Sequence, residues 1–423
     1  MSDLLLELAT ARVKGSPVGI TSVCSAHSTV LRAALRRARK TGKHVLIEAT
    51  CNQVNHLGGY TGMTPADFVE LVEAIATDEG LRRELLIFGG DHLGPNPWRR
   101  EPAEDALSKA RDMVRAYVAA GFSKIHIDTS MGCAGEPVAL DDRTIAERAA
   151  DLCRIAEETA KRAGLPMPVY ILGTEVPVPG GADHVLDDVK PTSPDAARNT
   201  LAIHRDVFEK AGLSEAFARV IAFVVQPGVE FGSENVIAYD PRKAIELAAV
   251  LQDNDNLVFE AHSTDYQPVE ALSALVRDGF AILKVGPGLT FEYREALYAL
   301  DMIASELVPA YGNRPLATAM EKLMLSSPAE WNGHYHGDEA ALRLQRHYSY
   351  SDRIRYYWNR PEAAVAVNAL MKALEGRALP EPLLRQYLPE FATMGSACAE
   401  DILIAAVDEV LATYDRAASV KVA

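Results

Sequence analysis

The chain has 423 residues, of which 48% are hydrophobic and 24% charged, and its formal net charge is −15 at pH 7. This composition is typical of a soluble globular protein with one large domain or two smaller ones, and the acidic charge argues against nucleic acid and anionic membranes as partners. The five cysteines are widely spaced and form no CxxC pair, which indicates neither a disulfide framework nor a zinc knuckle and favours the cytoplasm.

The first predicted element is a short amphipathic helix in MSDLLLELATARVKG, which lacks the basic start and apolar core of a signal peptide. No stretch approaches the roughly 20 continuous apolar residues of a membrane-spanning helix. Short apolar runs rich in Val and Ile then alternate with helical stretches, and each run predicts a buried parallel strand. The runs are GITSVCSAH, HVLIEAT, LLIFGGDH, KIHIDTS, VYILGTEV, VIAFVVQP, LVFEAHS and AILKVGP.

Eight such β–α units, over roughly 250–300 residues, predict a (β/α)8 TIM barrel. An open doubly wound sheet is the alternative, but no GxGxxG opens a helix after the first strand. Polar residues follow the ends of many strands, and in a barrel these ends converge on one mouth. We therefore predict a barrel over residues 1–308. Residues 309–423 are predicted as a helical extension packed on it, because no flexible linker precedes them.

Two strand ends carry side chains suited to catalysis. In LLIFGGDH, His92 could bind a divalent metal while Asp91 transfers a proton, and a polar turn with a helix-capping role is the alternative. In FEAHSTDYQ, Glu260 and His262 are two residues apart and face the same side of a strand. A buried Glu260 needs a metal or an ion pair, for example with Lys284, whereas His262 favours a metal.

The loops after the strands add further candidates. Glu175 precedes a loop rich in Pro and Gly, and Gln226 ends VIAFVVQP, where an amide could bind a sugar hydroxyl or a metal. Ordinary loop structure is the alternative for both. The stretches HSTDYQ and KVGPGLT follow the last two strands, where barrels often bind phosphate. The candidates for substrate contact lie at or just beyond predicted strand ends: Glu48, Asn52, Gln53, Gly58, Gly59, Asp128, Ser263 and Lys284.

Several stretches together carry a family resemblance. They are IEATCNQVNHLGGYTGMTPADF, GGDHLGPNPW, GTEVPVPGGA, VVQPGVEF, FEAHSTDYQ, LKVGPGLTFEYREAL and YSYSDRIRYYW. In this order they closely resemble the D-tagatose-1,6-bisphosphate aldolase Z-subunit family (GatZ/KbaZ type) over nearly the whole chain. The resemblance implies a class II aldolase-like barrel with a role in carbohydrate metabolism. The chain contains no nucleotide-phosphate loop that would support the kinase label some members carry.

The resemblance also implies roles for individual residues. Asp91 matches the proton-transfer residue of class II aldolases, and His92 and His262 match zinc ligands. The third histidine ligand has no match at the end of VIAFVVQP, where Gln226 stands, so Glu260 or Glu175 would take its place. A divalent metal is expected, zinc first, with manganese or another divalent ion as alternatives because a mixed N/O site discriminates poorly.

Three functions are consistent with these residues. The first, implied by the family, is an accessory subunit that supports a separate catalytic class II aldolase. The second is a stand-alone, metal-dependent aldolase or ketohexose 4-epimerase that acts on fructose and tagatose by retro-aldol chemistry. The third is a sugar-binding barrel without turnover. The expected ligand is a ketohexose or its phosphate, and the expected assembly is a homo-oligomer.

Overall fold

The computed structural model describes residues 3–173 and 188–419. The strands of its main sheet are β1 (Ile20–Cys24), β2 (Val45–Thr50), β3 (Leu86–Leu93), β4 (Lys124–Ile127), β5 (Val169–Leu172), β6 (Val220–Val224), β9 (Val258–Ala261) and β10 (Phe280–Val285). They are parallel and close into a barrel in the order β1-β10-β9-β6-β5-β4-β3-β2, which confirms the predicted fold. A small antiparallel pair, β7 (Glu230–Phe231) and β8 (Val236–Ile237), was not predicted.

Helices alternate with the barrel strands and continue after the last of them. The α-helices are α1 (Asp3–Val13), α2 (Ser28–Thr41), α3 (Pro65–Asp78), α4 (Ala103–Ala119), α5 (Asp142–Ala163), α6 (Pro194–Lys210), α7 (Ser214–Phe217), α8 (Pro241–Ala249), α9 (Val269–Arg277), α10 (Pro287–Leu307), α11 (Pro315–Ser326), α12 (Glu339–Tyr348), α13 (Pro361–Leu374), α14 (Glu381–Tyr387) and α15 (Ala399–Ala418). The 3-10 helices are Gly59–Thr61, Arg83–Leu85, Asn96–Trp98, Val250–Asp253, Pro328–Glu330, Arg353–Tyr357 and Pro389–Met394.

The barrel interior has an apolar part, at the amino-terminal ends of the strands, and a polar part, toward their carboxyl ends. Every residue of β2 and β3 is buried, as expected for strands covered on both faces. The helix predicted at the start of the chain is α1, and its Leu5 and Leu8 belong to one apolar cluster with strand residues such as Ile20, Leu46 and Ile87. This helix therefore packs at the amino-terminal end of the strands and leaves their carboxyl ends for the polar residues.

The C-terminal extension returns to the beginning of the barrel. The backbone N–H of Gly19 donates to the carbonyl of Ala418 at 2.9 Å. The guanidinium of Arg37 lies 3.0 Å from Asp408 and 2.6 Å from Asp415. Helix α15 thus packs beside the first strand and α2, so the extension is part of the barrel's outer layer. Within residues 3–173 and 188–419, no helix combines the length and the apolarity needed to cross a membrane.

Candidate active site

Charged side chains from five strands are paired inside the barrel. The Lys124 ammonium is fully buried and lies 2.5 Å from Glu48 Oε1 and 2.7 Å from Glu260 Oε2. The Lys284 ammonium contacts the carboxylates of Glu48 and Asp91. Burial alone would lower the pKa of both lysines, but the facing carboxylates outweigh it and raise each pKa. The interior of the barrel therefore holds a network of fully paired ammonium groups.

Two adjacent glycines of β3 make room for this network. A Cβ at Gly89 would lie 2.6 Å from Glu48 Oε1, and a Cβ at Gly90 would lie 2.9 Å from the Tyr117 ring on the outer side of the strand. Contacts this short displace the neighbouring atoms. The GG of LLIFGGDH therefore allows a carboxylate to pack against one face of β3 and an aromatic ring against the other.

Three histidines form a triangle next to the charged network. The ring centroids of His92, His126 and His262 lie 5.0, 4.9 and 5.2 Å apart. Together with Asp91 they offer one potential ligand atom each, and these four atoms all lie within 4.8 Å of one another. Three imidazoles and a carboxylate are ligands that zinc and other divalent transition metals accept.

The Asp91 carboxylate joins the histidine triangle to the charged network. Thr50 Oγ1 donates to Asp91 Oδ2 at 2.8 Å, and His126 Nδ1 lies 3.1 Å from Oδ1. Burial alone would raise the pKa of Asp91, but the charges of His92 and Lys284 and the bond to His126 hold it well below its usual range. Asp91 is therefore ionised at neutral pH.

His92 is oriented by a second carboxylate. Its Nδ1 lies 2.8 Å from Asp128 Oδ2, and Asp128 Oδ1 accepts from the backbone N–H and hydroxyl of Ser130 at 3.1 and 2.7 Å. Burial alone would lower the pKa of His92, but Asp91 and Asp128 raise it. The backbone of His92 has a positive φ of 51°. Carboxylate bonding of this kind fixes the orientation of a metal-binding imidazole.

His126 and His262 complete the triangle in different ways. His126 is fully buried, and its Nε2 has no hydrogen-bond partner among the described residues. His262 Nε2 lies 2.9 Å from Glu260 Oε1. Burial lowers the pKa of His262 to about 3 in spite of this carboxylate. The imidazole of His262 can therefore offer an unprotonated nitrogen to a cation.

A cavity opens above these groups at the carboxyl ends of the strands. The barrel lines it with Cys24, Ser25, Ala26, His27, Thr50, Asn52, Gln53, Tyr60, Asp91, His92, Phe231, His262, Ser263, Asp265, Lys284, Val285, Gly286, Pro287 and Thr290. The extension adds Arg355, Tyr356 and Asn359. The mouth of the barrel is therefore built from both parts of the chain.

The structure gathers most of the residues singled out in the sequence. Those that line the cavity are Asn52, Gln53, Asp91, His92, His262, Ser263 and Lys284. Glu48, Asp128 and Glu260 lie behind them as buried partners of lysine and histidine. Glu260 thus takes the ion-pair alternative, chiefly with Lys124 rather than with Lys284, whose ammonium is 3.8 Å away.

Three of the expected site residues, Gln226, Gly58 and Gly59, are not brought to this group. The amide oxygen of Gln226 accepts from the backbone N–H groups of the next turn, at Gly228 and Val229, at 2.8 and 2.9 Å. Gly58 and Gly59 have positive φ values of 104° and 58°, and they do not line the cavity. Their role in the structure is to shape the loop after β2. Glu175 lies outside the described residues.

The end of VIAFVVQP supplies no histidine. The third histidine of the triangle is His126. It stands in the middle of β4 rather than at a strand end, so the search for polar strand ends missed it. Lys124 was missed because it begins β4, away from the carboxyl end of the strand. The signal was the spacing of Lys124, His126 and Asp128 in KIHID, because residues two apart on a strand face the same side.

Comparisons with known proteins lead to proteins that are all named for a tagatose phosphate. The sequence model of the family described as D-tagatose-1,6-bisphosphate aldolase subunit GatZ/KbaZ-like matches residues 5–419. A protein of Agrobacterium fabrum (strain C58) named D-tagatose 6-phosphate 4-epimerase is 70% identical over 419 residues, which are 99% of each chain. A crystal structure of a probable tagatose 6 phosphate kinase from Sinorhizobium meliloti 1021 superposes with a TM-score of 0.87 at 53% identity, covering 94% of this chain and 100% of that one.

Proposed function

We propose, from the premise that this chain belongs to the D-tagatose-1,6-bisphosphate aldolase subunit GatZ/KbaZ-like family, that it epimerises D-tagatose 6-phosphate at C4. The observation that carries the proposal is the cavity lined by Asp91, Lys284, His92 and His262, with His126 buried beside them in the histidine triangle. The relative from Agrobacterium fabrum supports the choice of substrate. We do not propose the kinase activity for which the solved relative is named, because this chain has no nucleotide-phosphate loop.

The residues of the histidine triangle fit a divalent cation. His126 Nε2 is buried without a partner among the described residues. With neutral imidazoles, four buried carboxylates face two ammonium groups, which leaves an excess of two negative charges. The six groups are Glu48, Asp91, Asp128, Glu260, Lys124 and Lys284. A divalent cation would balance that excess, which a buried site requires.

We assign His92, His126 and His262 as the residues that would hold the cation, with Asp91 beside them. Zinc is the first choice for three imidazole ligands, and manganese is the alternative. When bound there, the cation would supply Lewis acidity toward negative charge developing on the sugar. Asp128 is a positioning residue, because it acts on the site through the imidazole of His92.

The proton transfer is assigned to Asp91. The ionised carboxylate of Asp91 takes the proton of the C4 hydroxyl, and the C3–C4 bond breaks. The electron pair of that bond stays on the C1–C3 fragment, which becomes an enediolate. C4 becomes an aldehyde carbonyl, turns over, and is attacked by C3 on its other face. Asp91 then returns the proton to the C4 oxygen. The product is the C4 epimer, D-fructose 6-phosphate, and Thr50 keeps the carboxylate oriented through both transfers.

The test is the purified single chain, analysed for bound metal and incubated with D-tagatose 6-phosphate. We expect a bound divalent metal and the formation of D-fructose 6-phosphate without a partner. If the purified wild-type chain, with all three histidines intact, contains no bound metal, the metal assignment is wrong. Product formed only with a co-purifying aldolase subunit would favour the accessory role, and binding without any product would favour a sugar-binding barrel. The homo-oligomer and the cytoplasmic location stay predictions, and light scattering measures the first.

For Asp91→Asn we expect full metal content but loss of turnover, by about 100-fold or more, because the amide cannot accept the hydroxyl proton. Metal analysis and the epimerase assay are made on the same sample. Asp195→Asn is the matched control, since the side chain of Asp195 is fully exposed. An Asp91→Asn variant with the activity of the wild type would remove Asp91 from the role of base.

A further inference from the structure

We propose that Arg355, which the helical extension places at the barrel mouth, binds the phosphoryl group of the sugar. The inference rests on the proposed function for the identity of the ligand. Arg355 lines the same cavity as Asp91, His92 and His262. A guanidinium binds phosphate through paired N–H donors and keeps its charge at every physiological pH. The barrel then supplies the reacting groups, and the extension supplies the anchor that selects phosphorylated sugars.

The place where barrels often bind phosphate is already filled. That place is the loop after the last strand and the N-terminus of the helix that follows. Here the backbone N–H groups of Gly286 and Gly288 both donate to Asp265 Oδ1, at 2.9 and 2.7 Å. Asp265 is itself buried. Because a carboxylate of the protein takes these donors, a phosphoryl group at this end of α10 would meet a like charge.

The other cationic side chains that line the cavity are neutral or paired. The Lys284 ammonium contacts two carboxylates, and His92 is hydrogen-bonded to Asp128. Burial lowers the pKa of His27 to about 4, so its imidazole is neutral at pH 7. In residues 3–173 and 188–419, no carboxylate oxygen lies within 4.0 Å of the Arg355 guanidinium. Arg355 is therefore the cavity cation whose charge is available to an anion.

The contacts of Arg355 leave some donors of the guanidinium unused. Its Nη1 donates to the carbonyls of Ser351 and Asp352, the second at 3.1 Å. Its Nη2 donates to the hydroxyl of Tyr356 at 2.8 Å. Nε and the second hydrogen of Nη2 have no acceptor among the described residues. Nε–H and an Nη2–H of one guanidinium can together bind two oxygens of one phosphoryl group.

The 3-10 helix that carries Arg355 is fixed to the barrel before any ligand binds. The carboxylate of Asp352 accepts from Thr290 Oγ1 at 2.6 Å and from Arg294 Nε at 3.4 Å. The ring of Tyr356 meets the ring of Tyr60, from the loop after β2, edge to face at 4.9 Å. Because these contacts hold the segment in place, little ordering of the segment opposes phosphate binding.

The test compares the binding of reduced ligands that cannot react. Borohydride reduction of D-tagatose 6-phosphate and of D-tagatose removes the C2 carbonyl and gives hexitols that carry or lack the phosphate. Calorimetry measures both with the metal-loaded wild type and with Arg355→Met. We expect the variant to bind the phosphorylated hexitol about 10- to 100-fold more weakly, as for the loss of a charged hydrogen bond. The affinity for the free hexitol should not change.

Two further variants make the comparison decisive. Arg360→Met makes the same charge change five residues further on, at an exposed position outside the cavity, and should bind like the wild type. Arg355→Lys keeps the charge but loses the paired donors, so its affinity for the phosphorylated hexitol should be intermediate. If Arg355→Met does not fold, a Lys variant that binds like the wild type overturns the assignment.

The outcomes separate this inference from the proposed function. The role of Arg355 is overturned if the wild-type protein binds both hexitols with equal affinity. It is also overturned if Arg355→Met loses affinity equally for both hexitols. Wild-type protein that binds the phosphorylated hexitol through Arg355 but does not convert D-tagatose 6-phosphate overturns only the epimerase proposal.

Discussion

His126 shows how one buried side chain can decide what a barrel mouth binds. Its two neighbours in the triangle are both bonded to carboxylates, His92 to Asp128 and His262 to Glu260. The Nε2 atom of His126 has no such partner among the described residues. A buried imidazole nitrogen without a hydrogen bond costs free energy, and coordination of a cation would remove that cost.

We expect His126→Ala to lose most of its bound metal, because the cation would keep only two imidazoles. The measurement is metal per chain after dialysis, with circular dichroism as the check on folding. His44→Ala is the control, since His44 is exposed and lies at the start of β2, outside the histidine triangle. Stoichiometric metal in folded His126→Ala would exclude His126 as a ligand.

Asp265 should make the stability of the protein depend on pH. Burial raises the pKa of Asp265 from 3.8 to about 6, in spite of the N–H donors of Gly288 and Gly286. The native state thus binds this proton more tightly than the unfolded chain does. Its contribution to the free energy of unfolding is therefore present below about pH 4 and is lost as the pH rises to 6.

In Asp265→Asn the amide oxygen can still accept both N–H bonds, but the side chain no longer titrates. We expect the variant to gain stability relative to the wild type by about 2–3 kcal/mol between pH 4 and pH 7, as a shift of roughly two pKa units implies. Urea unfolding at several pH values measures the difference. A difference that does not change with pH would show that Asp265 has an ordinary pKa.

At the scale of elements, the turn after β3 fixes the distance between two strands of the site. A Cβ at Gly94 would lie 1.7 Å from the carbonyl oxygen of Asp128, and the N–H of Asp128 donates to Leu93 O at 3.0 Å. The backbones of β3 and β4 therefore touch at the point where His92 meets Asp128. This contact sets the orientation of the His92 ring.

We expect Gly94→Ala to lower the free energy of unfolding by about 3 kcal/mol, because the clashing atom is a backbone oxygen that cannot move alone. Gly333→Ala is the matched control, since a Cβ there meets no atom within 4 Å. Its effect should stay within about 1 kcal/mol. Chemical denaturation measures both, and equal stabilities would contradict the close approach at Gly94.

The strands could be predicted from the sequence, whereas the full polar site could not. Apolar runs of Val and Ile locate each barrel strand, because burial on both faces requires them. Residues next to a strand end, such as His92 and His262, were found by their position. Lys124 and His126 lie before the carboxyl end of β4, and their inward direction depends on the register of β4 in the closed barrel. Arg355 was beyond prediction, because only the tertiary fold brings its segment to the mouth.

At the scale of the whole molecule, the extension contacts the barrel in several places. Its 3-10 helix places Arg355 in the cavity, while the hydroxyl of Tyr414 in α15 donates to Thr264 O at 2.7 Å. Helices were predicted after residue 308, and packing on the barrel was expected from the missing linker. The boundary itself stays a prediction, and the apolar residues of both parts belong to one continuous core.

The bond from Gly19 to Ala418 has a consequence for how the protein is made. A ribosome must synthesise all of the chain between these residues before the strand that begins beside Gly19 meets its helical neighbour α15. Contacts between distant parts of a chain form slowly, since a long loop has to be closed first. During translation the part of β1 that α15 covers therefore stays uncovered until α15 has been made.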